Sequence, residues 1–203
     1  MSVNSHNWRQ RSAWHVVFVP LLFVSPIGHS QAPDGRKLAV ALANPDARTR
    51  TVEDIVSSGR TDVPLLLELA RRPPRGVDRS ELYIGLAEVF GRLRVREALP
   101  FLIANISLGI ERAPNIWLKT DRAIAERMPA VAALIRIGPA ASLAVMNAWA
   151  GPMTDADRLA AIFVVGQIQG VPDARAFLQS VVGGATLERN LALDGIKALS
   201  RSR

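Results

Sequence analysis

The chain has 203 residues, 49% of them hydrophobic, and carries 25 Lys and Arg against 18 Asp and Glu, a formal net charge of +7. That length suits one domain or one short repeat array, with enough apolar side chains to bury a core. There is no cysteine, so thiol nucleophiles and disulfide staples are excluded, and the three histidines are His6, His15 and His29.

Residues 1–12 hold Arg9 and Arg11 and no acid, an apolar run follows over residues 13–24, and Ser25, Pro26, Gly28 and Ser30 close the segment. A positive start, a short apolar stretch and a small-residue exit are the three parts of a secretory signal. The apolar stretch, twelve residues, is shorter than the roughly 20 that span a bilayer as a helix. Pro20 within it also argues against a straight permanent anchor. Gly28 and Ser30 supply small residues at the −3 and −1 positions, which predicts a signal peptide over residues 1–30 and a mature start at Gln31. The expectation is an exported protein, periplasmic or secreted, that touches a membrane only through this segment. An uncleaved signal anchor is the alternative.

Cleavage would take away all three histidines, two arginines and no acid, leaving 23 basic against 18 acidic residues, net +5. Without His or Cys, Ser-His-Asp catalysis and zinc sites of the usual N/S type are out of reach. No catalytic residue, metal ligand or cofactor is assigned.

Residues 31–44 read as a lead-in, with Pro33 and Gly35. Beyond it no stretch alternates with period 2, while the 3.6-residue period recurs. Leu82, Leu86, Val89, Phe90 and Leu93 form one apolar stripe, and Val95, Leu99, Leu102, Ile103 and Ile106 form another. Two helices are predicted there, joined by a tight turn from Gly91 to Arg96. Asp78 with Glu81 reads as an Asp form of the capping box, and Asp155 and Asp157 follow Thr154 in a first helical turn. Pro64, Pro100 and Pro172 fall near the starts of second helices, where a missing N–H costs little. The predicted fold class is all-α.

Phe90-Gly91-Arg92-Leu93-Arg94-Val95-Arg96-Glu97-Ala98-Leu99-Pro100 and Val165-Gly166-Gln167-Ile168-Gln169-Gly170-Val171-Pro172-Asp173-Ala174 are two versions of one helix–turn–helix pattern. The stretches around Gly59-Arg60 and Ile137-Gly138-Pro139 are weaker copies. The pattern resembles the HEAT-like repeats of the bilin-lyase type. The resemblance covers roughly residues 45–200, within a repeat domain of residues 45–203, and implies a short α-solenoid of about four helix pairs plus a terminal helix over residues 187–200. An irregular helical bundle is the alternative. Ala87, Ala132, Ala133, Ala160 and Ala161 are expected to let consecutive first helices approach closely. For function the resemblance implies an exported, non-enzymatic scaffold that binds another envelope or secreted protein on the solenoid surface. An enzyme or enzyme subunit of a modification system and a self-associating structural envelope protein are the alternatives.

Arg60, Arg92, Arg94, Arg96 and Arg136 fall at turns on one edge of such an array, a discontinuous basic strip facing an acidic partner protein. Arg71, Arg72, Arg75 and Arg79 surround a turn on the opposite edge. Trp117 and Lys119, in the insertion between the second and third pairs, are candidate partner anchors. Nucleic acid is disfavoured, because export removes the chain from it and few aromatics interleave the basic residues. The acid pairs Asp121 with Glu126, Asp155 with Asp157, and Glu81 with Glu88 read as helix starts and exposed faces rather than acid–base dyads.

Overall fold

A computed structural model describes residues 34–109 and 127–181, together with residue 123; all lie within the unit Pro33–Arg203. Among the described residues every regular element is helical, so the fold is all-α as the periodicity predicts. None of these helices is long and apolar enough to cross a membrane. The elements run α1 (Gly35–Ala43), α2 (Pro45–Ser58), α3 (Val63–Arg71), α4 (Arg79–Arg92), a 3-10 turn (Arg96–Ala98), α5 (Leu99–Ala104), α6 (Pro129–Ile137), α7 (Pro139–Ala148), α8 (Asp155–Gln169) and α9 (Val171–Val181). The predicted terminal helix over residues 187–200, and the insertion that carries Trp117 and Lys119, fall outside the described residues.

Local chemistry sets the boundaries. Asn44 serves two helices: its backbone N–H donates to the Val40 carbonyl and closes α1, while its side chain accepts from Asp46 N at 3.0 Å and opens α2. Asp78 caps α4 by accepting from Glu81 N at 3.0 Å. At α8 a full capping box forms, with Thr154 Oγ1 accepting from Asp157 N and the Asp157 carboxylate accepting from Thr154 N. Pro45, Pro64, Pro100, Pro129 and Pro139 all occupy the first or second helical position.

The turn after α4 departs from the expected one. Gly91 is not a turn residue but belongs to the helix, and the left-handed position falls on Arg94, with φ of 50°. Val95 N donates to the Phe90 carbonyl at 2.9 Å and Arg94 N to that of Gly91 at 3.2 Å, which is a Schellman motif. Glycine normally holds this site because an L side chain strains there. Arg94→Gly is therefore expected to stabilise the isolated chain by about 1 kcal/mol. A thermal melt without a rise in Tm would show that Arg94 is held there by an interaction outweighing the strain.

The second stripe begins as expected with buried Val95, but α5 ends early, at Ala104. Asn105 Nδ2 takes the Phe101 carbonyl at 2.8 Å, and turns follow from Asn105 to Gly109.

In packing, α4 lies against α6, and α6 against α8; α7 and α9 pack on their preceding helices α6 and α8, whereas α5 packs on α6 and α7. The small residues expected to allow close approach, Ala87, Ala132, Ala133, Ala160 and Ala161, are all buried, and Ala133 lies at the crossing of α4 and α6. At Gly91 a methyl group would stand 2.7 Å from Ala133 Cα, so only glycine lets α4 and α6 come this close. The middle helix, α6, is consequently buried at seven positions, including Val131, Leu134 and Ile137.

The segment 31–44, read as a lead-in, contributes a core element. Ala39 and Leu42 of α1 are fully buried, and α1 packs on α4. At Gly85 a methyl would meet the Leu42 carbonyl at 2.7 Å. Arg48 Nε donates to that same carbonyl at 2.9 Å, and its Nη2 reaches Glu81 at 2.6 Å, joining α1, α2 and α4. A two-turn helix with one buried i, i+3 pair has too little period to be read from the chain.

Candidate functional site

Two surfaces bring chemistry-bearing side chains together. The first is the edge where α2 ends and α4 turns into α5. Arg60 Nη2 donates to both Glu97 oxygens at 2.9 and 3.1 Å, and its Nη1 lies 3.4 Å from the Leu93 carbonyl. Arg92 makes a two-pronged pair with Glu53 of α2 at 2.6 and 2.8 Å. Hydrogen bonding from Arg92, opposed by desolvation and assisted by the Arg92 charge, holds the Glu53 carboxyl below its ordinary range, and Glu53 in turn raises the Arg92 guanidinium. Glu97 is likewise held low, first by its own backbone N–H, then, against desolvation, by Arg60 and the charge of Arg96.

The predicted strip is thus divided. Arg60 and Arg92 are engaged by carboxylates and tie neighbouring helices. Arg94, Arg96 and Arg136 are exposed and make no ion pair among the described residues. Arg136 belongs to this neighbourhood because Ala133, one turn earlier, contacts Gly91 beside Arg92.

The second surface is an open cleft of about 410 Å³ between α3 and α5, floored by α4. Tyr83 lies at its base with only 7% of its surface exposed. Its ring meets Phe101 edge-on, with centroids 4.9 Å apart, and Phe101 meets Phe90 in turn at 5.7 Å. The Tyr83 hydroxyl donates to the Ala70 carbonyl near the end of α3 (3.4 Å) and accepts from Arg79 Nε at 2.8 Å. The Arg79 guanidinium also stands 5.2 Å from the Tyr83 ring centre. Arg71, in the last turn of α3, lines the same space. Sequence reasoning noted these two arginines only as a cluster at a turn. Arg79 and Tyr83, four apart on one helix, were the signal that they share a face; the gap between α3 and α5 left no mark in the chain.

The acid pairs have structural work. Arg48 takes Glu81, Glu88 contributes to the charge around Arg92, and Asp155 lies 3.8 Å from Arg158. Asp121 and Glu126 fall outside the described residues. Burial acts to raise the Asp157 carboxyl, but hydrogen bonds from Ser107 and Thr154 outweigh it and hold the carboxyl below its ordinary value. Because the folded value is lowered, the stabilisation is whole above the unfolded aspartate value, about 3.9, and fades as pH falls through the folded one. Wild type and Asp157→Asn should therefore differ in Tm at pH 7 and converge as pH drops below about 3.9. A constant difference across that range would assign the effect to packing instead. No three His, Cys, Asp or Glu side chains gather at metal-ligand distances among the described residues.

No family model matches the chain, and neither a curated protein nor a solved structure shows significant similarity to it.

Proposed function

We propose that the chain is an exported, non-enzymatic scaffold that holds another protein on the surface of a HEAT-like helical array. The observation that carries this reading is the succession of α4, α6 and α8, each packed on the last and the first two brought close at Gly91 and Ala133, with α7 and α9 packed on α6 and α8. Such a stack buries its apolar stripes within itself and leaves its turns and outer helices to solvent, which is the layout of a binding surface. The exposed Arg94, Arg96 and Arg136 form the part of the basic edge that is free to meet an acidic protein, with Trp117 and Lys119 as further anchors.

Two measurements test the reading. Mass spectrometry of the protein recovered from the envelope or medium should find an N-terminus at Gln31; an intact Met1 confined to the cytoplasm removes the export half. A photo-crosslinking amino acid placed at Arg94, Arg96 or Arg136 should give one recurrent adduct in living cells. Absence of any adduct at all three positions overturns the scaffold half.

A further inference from the structure

We infer that the cleft between α3 and α5 is a docking site for an acidic peptide segment of the partner, with a carboxylate held by Arg71 and Arg79 and an apolar side chain laid over Phe101. The inference deepens the scaffold reading and rests on it, but it concerns a different surface from the basic edge.

Charge complementarity selects the occupant. Elsewhere in the fold Arg48, Arg60, Arg72, Arg92 and Arg158 each face a carboxylate. The two arginines lining this cleft have no ion pair among the described residues. Arg79 is nevertheless held in place, because Tyr83 takes its Nε and lies beside its guanidinium, leaving the two Nη groups to make a fork. It is also the first residue of α4, where the helix dipole opposes a cation and favours an anion. Asp78 does not supply that anion through its capping oxygen, which accepts from Glu81 N. The acid on the lining, Glu97, is neutralised by Arg60 at the far end of the cleft. A bound carboxylate therefore meets two guanidiniums at one end and no uncompensated negative charge along the groove.

The floor gives a nucleic-acid base no stacking platform at Tyr83. A base needs an open ring face for stacking, whereas Tyr83 is buried, met edge-on by Phe101 and beside the Arg79 guanidinium. An aliphatic or aromatic side chain needs only the half-buried Phe101 and the adjoining Pro100 and Ala104.

The test pans a random heptapeptide display library against the full chain. Selected peptides should be enriched in Asp or Glu adjacent to an apolar residue. A dye-labelled peptide of the selected sequence should lose affinity about 5- to 10-fold when its acid becomes Gln, and by a similar factor on Arg71→Gln or Arg79→Gln. Arg50→Gln, an exposed position on α2 outside the cleft lining, should bind unchanged. Arg71→Gln keeps the test readable if loss of the Tyr83 bond lowers the stability of Arg79→Gln. No selection above background, a consensus without acids, or equal binding by wild type and both cleft variants overturns the cleft assignment. If crosslinks at Arg94, Arg96 or Arg136 persist in that case, the scaffold reading stands alone; if they too are absent, both fall.

Discussion

Replacing Phe90 with alanine lowers stability by about 3–5 kcal/mol, the range for emptying a closed aromatic site. The ring is fully buried in the last turn of α4 and touches Phe101, which in turn braces Tyr83 at the base of the cleft. Domains of this size are stable by only about 5–15 kcal/mol, so the variant should be partly unfolded at moderate urea. Leu93, on the same stripe but only partly buried, should cost less than half as much when truncated. Urea midpoints of the two variants check the order, and a loss under about 1 kcal/mol for Phe90→Ala would contradict the closed packing of α4 on α5. Because the aromatic chain runs from Phe90 to Tyr83, a folded Phe90→Ala chain should also hold Arg79 less firmly.

Gly91→Ala should destabilise the chain by about 1–3 kcal/mol, although alanine in a free helix would gain close to 1 kcal/mol over glycine. The sign is decided by α6. The new methyl would stand 2.7 Å from Ala133 Cα and 2.9 Å from its Cβ, and a backbone atom cannot swing aside as a long side chain can. Adding Ala133→Gly removes the second clash and leaves the first, so the double variant should recover part of the loss, not all of it. A single variant more stable than wild type would show that α4 and α6 lie farther apart than described. Separation there would also shift the edge on which Arg92, Arg94 and Arg96 follow Gly91.

How much was legible in the chain depends on the range of the interaction. The stripe Leu82, Leu86, Val89 and Phe90 was readable because a 14-residue helix repeats its buried positions over several turns. The caps at Asp78 and Thr154 were readable because each bond spans three residues. α1 was not, since its burial rests on Leu42 meeting Gly85, a residue 43 positions away. Gly91 was read as a turn former, the commoner use of glycine near a helix end. Its actual role is a helix crossing, for which the partner Ala133 had to be in place.

The candidate sites divide along the same line. Amino-acid order alone settled which residue types were present: a basic chain without cysteine, all-helical, with arginines clustered at turns. Tertiary packing decided which of those arginines remain available. Glu53 and Glu97 reach Arg92 and Arg60 across 39 and 37 positions and neutralise them, whereas Arg71 and Arg79 gather on a cleft without a carboxylate partner among the described residues. Helix periodicity and capping are short-range and written in local order. Charge pairing and helix–helix gaps depend on which distant segments meet, and only the folded chain brings them together.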